Sequence, residues 1–90
     1  MRTIEELKSL LISSFPEGKI YLFGSRAKGT ASPYSDYDIA IESDTPLRKK
    51  FIKIKFLIEE SQIPYKIDLI DLSRAPHLKK VVQEEGIKWH

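Results

Sequence analysis

Segments of helical periodicity alternate with short apolar runs along the whole of this 90-residue chain, and that alternation constrains its fold more than any other feature. Ile4, Leu7, Leu11 and Phe15 recur at helical spacing, with Leu10 widening the stripe. Thr3 and Glu6 fit a capping box, and Pro16 and Gly18 stop the helix. Ile20 to Phe23 reads as a short strand that Gly24 breaks abruptly. Ser25 to Lys28 fits one helical turn ended by Gly29, and Thr30 to Ser35 reads as a loop around Pro33. A second strand is predicted over Asp36 to Ile41. Its alternation puts Asp36, Asp38 and Ala40 on one side and Tyr37, Ile39 and Ile41 on the other. Thr45 and Pro46 read as the cap and first residue of a helix running to about Glu60, with Leu47, Phe51, Ile54 and Ile58 as its apolar stripe. Lys66 to Leu72 is a third strand. A last helix is expected over His77 to Glu85, with Gly86 just past its end and Leu78, Val81 and Val82 as its buried side. The pattern predicts an α/β fold: a small mixed β-sheet of about three strands with flanking helices. A mixed sheet is favoured because the connection between the first two strands is short and irregular.

At this length residues 1–90 form one domain, which buries about two-thirds or less of its unfolded surface. Cysteine is absent, which excludes disulfides, thiolate catalysis and Cys-ligated zinc. A small secreted domain usually needs such staples, so a cytoplasmic setting is expected. No apolar run is long enough to span a membrane, and the first residues lack the apolar core of a signal sequence. Fifteen Lys and Arg against thirteen Asp and Glu leave +2, too small an excess to argue for duplex nucleic acid.

Chemistry concentrates between Gly24 and Asp38. Asp36 and Asp38 are two apart on a strand, so their carboxylates share a face and repel unless compensated. A divalent cation is the simplest compensation, and Mg²⁺ prefers carboxylate and phosphate oxygens. Taken alone, such a pair also reads as a solvated strand start, and Gly24-Ser25 alone reads as an ordinary turn. Together they describe a strand, a phosphate cradle, a loop and a metal-binding strand. Gly24 permits a tight turn and close approach of phosphate, and Ser25 supplies a hydroxyl beside the N–H groups that follow. A third carboxylate is available at Asp68 or Asp71, which have opposite parity on the third strand. Asp68 is the better candidate, because a carboxylate mid-strand between Ile67 and Leu69 is costly without a partner.

Gly24-Ser25, ten residues, then Asp36-Tyr37-Asp38 resembles the GSx₁₀DxD signature of the DNA polymerase beta-like nucleotidyltransferase superfamily. The string GSRAKGTASPYSDYDIAI looks like its minimal members in prokaryotes, KIDLID resembles their third-carboxylate strand, and Pro76 to Gly86 resembles their closing helix and glycine. The resemblance covers nearly the whole chain. It implies a nucleotidyltransferase core in which Asp36, Asp38 and Asp68 hold two divalent metals, Mg²⁺ or alternatively Mn²⁺. It also implies that Gly24 and Ser25 take the phosphates of ATP, and that AMP passes to an acceptor hydroxyl. Such minimal members are often paired with a helical HEPN-domain protein. The resemblance therefore implies an antitoxin that adenylylates a tyrosine of a HEPN-type toxin. The alternatives are transfer to a small molecule or RNA, and a non-catalytic antitoxin that acts by binding.

Arg26 and Lys28 flank the cradle, where either can oppose phosphate charge; Arg26 can instead pair with an aspartate and hold the loop. Tyr34 is a candidate for stacking on a base, whereas Tyr37 points away from the carboxylates and is expected to pack. Arg48, Lys49, Lys50, Lys53 and Lys55 make a basic helical surface, which reads as a solvated face or as a site for RNA or an acidic partner. His77 and His90 are too isolated for a histidine metal site, and Trp89 is expected to fold back onto the body or dock on a partner. Larger members of the superfamily resemble this core with added acceptor-binding domains, so the resemblance implies that here the acceptor is gripped across a homo- or hetero-oligomer.

Overall fold

The computed structural model describes residues 1–30, 32–33 and 35–90. Helix α1 (Ile4–Ser14) starts where the capping pattern puts it, with the Glu6 N–H donating to Thr3 Oγ1 at 3.1 Å. Strand β1 (Lys19–Phe23) leads into the single-turn helix α2 (Ser25–Lys28). Strand β2 (Tyr37–Glu42), helix α3 (Arg48–Glu59) and strand β3 (Ile67–Asp71) follow. A 3-10 turn (Leu72–Arg74), helix α4 (Pro76–Glu85) and strand β4 (Ile87–Lys88) complete the chain.

The sheet is mixed and has the order β3-β2-β1-β4. Strand β1 is antiparallel to both β2 and β4, and β2 is parallel to β3. Alternation along the strands divides the side chains between two faces. On one face Ile20, Leu22, Ile39, Ile41 and Leu69 pack under Leu7, Leu11 and Phe15 of the α1 region and Leu47, Phe51 and Ile54 of the α3 region. On the other face Tyr21 and Ala40 pack with Leu72 and with Val82 of α4. Leu7, Leu11, Ile20, Ile39, Ile41 and Val82 are fully buried, and each such side chain contributes about 1.5–3 kcal/mol relative to exposure. The first face thus has two covering helices. The second has one, seated over the middle of β1 and β2.

Four local expectations change. The sheet has a fourth strand: Ile87 and Lys88 pair with Leu22 and Tyr21. Helix α3 begins at Arg48 rather than Pro46, because Thr45 is engaged in a local turn. Its N–H donates to Ser43 Oγ at 3.2 Å, and the two hydroxyls lie 3.1 Å apart. Gly86 is extended (φ −79°) rather than left-handed. A Cβ there would collide with the Val82 carbonyl and stand 3.2 Å from the Leu22 carbonyl, so the glycine permits β4 to lie directly against β1. Val81 is 44% exposed, and the inward side of α4 is Val82 with Leu78. Trp89 packs against the core with Lys8 over its ring, and its backbone N–H donates to the Ile20 carbonyl at 2.7 Å. Among the described residues, no helix is long and apolar enough to cross a membrane.

Candidate active site

The turn at the end of β1 is built on Gly24, whose φ of +75° and ψ of −156° belong to a region essentially reserved for glycine. A Cβ at this position would stand 2.5 Å from Asp38 Oδ2. The space left by the absent side chain therefore brings the backbone against a carboxylate. The carbonyl of Gly24 accepts from the N–H groups of Ala27 and Lys28, each at 3.1 Å, which winds the chain directly into α2. Ser25 and Arg26 are its first residues, where helical N–H groups have no intrahelical acceptor. Gly29, left-handed at φ 74°, closes the turn.

Strand β2 begins at Tyr37, so Asp36 immediately precedes the strand rather than opening it. Asp38 is in register with Phe23 of β1 on one side and with Asp68 of β3 on the other. Register partners project from the same face, and for Asp38 and Asp68 that is the face of Ala40, opposite Ile39 and Leu69. The two carboxylates therefore occupy neighbouring strands, about 4.8 Å apart in the sheet. Burial raises the Asp38 carboxyl above its ordinary value of 3.8, and the charges of Asp68 and then Asp36 push it further, against an opposing pull from Lys66. Asp36, Asp38 and Asp68 thus share one electrostatic neighbourhood.

The donor set suits a hard divalent cation such as Mg²⁺ or Mn²⁺: it is all oxygen, and its negative charge exceeds what Lys66 offsets. Among the described residues, no three His, Asp or Glu side chains are drawn together as a preassembled cage. Asp71, the other acidic residue of β3, is occupied elsewhere. Its Oδ1 accepts from the N–H of Ser73 at 3.0 Å and from its hydroxyl at 2.7 Å, capping the 3-10 turn.

The flanking cations are both engaged. Arg26 donates from Nε and Nη2 to the Ser35 carbonyl (3.3 and 3.0 Å) and from Nη2 to the Pro33 carbonyl (3.3 Å). It holds the loop as one reading of the sequence expected, though through carbonyls rather than an aspartate. Its guanidinium also lies 4.4 Å from the Tyr37 ring and 5.0 Å from that of Tyr65. Lys28 pairs with Glu85 of α4 at 3.2 Å, with about half of its side chain exposed. Tyr37 packs against the core on the face away from Asp38, edge-on to Tyr65 with ring centroids 5.2 Å apart. Tyr34, the base-stacking candidate, lies outside the described residues. Sequence reasoning missed Tyr65 and Lys66. The available signal was their position at the mouth of the KIDLID strand, a place where charge and ring stacking reach the site only through the fold.

Residues 5–88 match the family described as "Polymerase beta, Nucleotidyltransferase". The chain is 40% identical over 68 residues to "Probable protein adenylyltransferase MntA" of Haemophilus influenzae, a match covering 72% of this chain and 58% of that protein. It is 33% identical over 98 residues to "Putative protein adenylyltransferase MJ1379" of Methanocaldococcus jannaschii, covering 97% of this chain and 98% of that protein. The chain therefore spans little more than half the length of the Haemophilus relative and nearly all of the other.

Proposed function

This chain belongs to the polymerase beta nucleotidyltransferase family, and we propose that it transfers AMP from ATP to a hydroxyl of a protein acceptor. The acceptor under this reading is a tyrosine of a helical HEPN-type toxin, and the chain is its antitoxin. The working compartment is the cytoplasm, where ATP and Mg²⁺ are supplied together. The observation that carries the reading is the register of Asp38 beside Asp68, with Gly24 closed against the Asp38 carboxylate.

Asp36, Asp38 and Asp68 would hold the divalent cations, Asp36 and Asp38 together with the triphosphate. When bound, these ions supply charge neutralisation and acidify the hydroxyl. Gly24 and Ser25 admit and orient the phosphates, and Lys28, half-exposed and paired with Glu85, is the cation that opposes their charge. The hydroxyl oxygen forms a bond to the α-phosphorus as the bond to the bridging oxygen of pyrophosphate breaks in line. The proton leaves by way of the Asp68 carboxylate to solvent. The mutual repulsion of Asp36, Asp38 and Asp68, which raises the Asp38 carboxyl, supports a cation at this position.

The test is incubation with ATP, Mg²⁺ and a HEPN-domain protein, followed by intact mass and peptide mapping. The expected product is the acceptor heavier by one AMP on tyrosine, lost when Asp38→Ala replaces the wild type. No adduct on any acceptor, together with full neutralisation of the toxin in cells by Asp36→Ala/Asp38→Ala, would instead establish an antitoxin that acts by binding alone. The support from protein acceptors rests on the names of the two relatives; the support for nucleotidyl transfer rests on the family match and the strand register.

A further inference from the structure

The three segments that deliver the candidate site also meet on the opposite side of the sheet, around one side chain. Arg26 follows Ser25 directly, so it is rigidly connected to the phosphate turn. Its hydrogen bonds end on Pro33 and Ser35, the residues that lead into Asp36, and its guanidinium lies over Tyr37, the residue that follows Asp36. The same guanidinium lies over Tyr65, two residues before Ile67 opens the strand that carries Asp68. Tyr65 and Tyr37 are themselves in edge contact, and the Tyr37 N–H donates to the Lys66 carbonyl at 2.9 Å. Tyr37 belongs to the apolar face under α1 and α3, whereas Asp38 and Asp68 belong to the other.

Resting on the proposed assignment of the three carboxylates, we propose that Arg26, Tyr37 and Tyr65 form a clamp that sets the spacing of Asp36, Asp38 and Asp68 from the reverse face. Arg26 is in this account a positioning residue and makes no contact with nucleotide. The requirement is specific to arginine. Only a planar guanidinium donates in two directions to neighbouring carbonyls while stacking against rings. A lysine keeps the charge but cannot make both carbonyl bonds and the two ring contacts at once. The requirement at Tyr65 is for the ring, because its contacts with Tyr37 and Arg26 are made by the ring. Without the clamp, the segment before Asp36 loses its side-chain tie to α2, and the start of β3 is left with its backbone bond to Tyr37.

Two measurements on Arg26→Lys, Tyr65→Leu and Tyr65→Phe test this. In metal-free protein, hydrogen exchange at residues 35–38 and 65–68 is expected to rise in Arg26→Lys and in Tyr65→Leu, with that of α1 and α3 unchanged, and to stay at the wild-type level in Tyr65→Phe. Mn²⁺ affinity in the presence of a non-hydrolysable ATP analogue is expected to fall about tenfold or more in the first two variants, again with Tyr65→Phe unaffected. Exchange confined to the wild-type pattern in Arg26→Lys and Tyr65→Leu would overturn the clamp, as would wild-type Mn²⁺ affinity in both. If the wild type itself takes up no Mn²⁺ while exchange changes as described, the metal assignment fails and the clamp stands as the device that joins the three segments. An Arg26→Lys chain that does not fold leaves Tyr65→Leu against Tyr65→Phe to decide the same question.

Discussion

Replacing Gly24 by alanine separates the backbone role of the turn from its role at the carboxylates. With φ at +75° and ψ at −156°, a residue bearing a Cβ carries strain of about 2 kcal/mol, within the usual 1–3 kcal/mol for such conformations. For a domain of this size that lowers the melting temperature by about 8–16 °C. The new methyl also arrives 2.5 Å from Asp38 Oδ2. That oxygen is the end of a side chain, so the clash is relieved by moving the carboxylate, at little further cost in stability. Function bears that displacement, since a misplacement of about 1 Å in a reacting constellation costs about 100-fold in rate. Gly29→Ala is the matched control. It too has a positive φ (74°), but a Cβ there meets nothing within 4 Å, so it loses about 1 kcal/mol and no activity. The assay is a thermal melt by circular dichroism paired with nucleotidyl transfer measured well below both midpoints. Gly24→Ala is expected to fall about 100-fold in transfer while still folded, and Gly29→Ala to match the wild type. Equal transfer by the two folded variants would refute the argument that Gly24 exists for the approach to Asp38.

Asp38→Asn is expected to raise the melting temperature of chelator-treated protein at pH 7. The folded-state pKa of Asp38 lies above its unfolded value, so the native state holds its proton more tightly and stability falls as pH rises toward the folded pKa. The gain from Asn should therefore be present at neutral pH and vanish below about 3.8; a gain that persists under acid would contradict the electrostatic origin. Asp68→Asn is expected to abolish transfer with the fold intact. Asp71→Ala should instead lose the cap on the 3-10 turn, about 0.5–2 kcal/mol, and keep wild-type transfer; the reverse outcome would exchange the roles of the two residues. Leu7→Ala empties a site with no exposure beneath α1, and denaturant unfolding should show a loss of about 2–5 kcal/mol.

Sequence patterning revealed those parts of the molecule that rest on local chemistry. The stripe of Leu7, Leu11 and Phe15 and the arrest at Gly24 are consequences of period and backbone sterics, both written within a few residues; parity sets Asp68 and Asp71 on opposite faces, and the mid-strand position of Asp68 points to the carboxylate that the fold puts in register with Asp38. Strand β4 was hidden because two residues carry no alternation; Ile87 and Lys88 become a strand only by pairing with Tyr21 and Leu22, more than sixty positions away in the chain. Thr45 looked like a cap until Ser43 competed for it. Ile52 and Phe56 stand 62% and 59% exposed on α3, outside the apolar stripe that its spacing marks and among the lysines that wet most of the remainder. From the sequence, Arg26 reads as a phosphate ligand or a partner for an aspartate. Its contact with Tyr65 joins positions 39 apart in sequence, which only the parallel pairing of β2 and β3 brings together.

The account stands on one site shared by Asp36, Asp38, Asp68 and the turn at Gly24-Ser25. A crystal structure with Mn²⁺ and a non-hydrolysable ATP analogue tests it most directly, because the anomalous signal locates the metal independently of the nucleotide. The account predicts manganese peaks ligated by the three aspartates, with the phosphates against the first residues of α2. Manganese that leaves Asp68 uncoordinated, or a triphosphate bound away from Gly24, would contradict it.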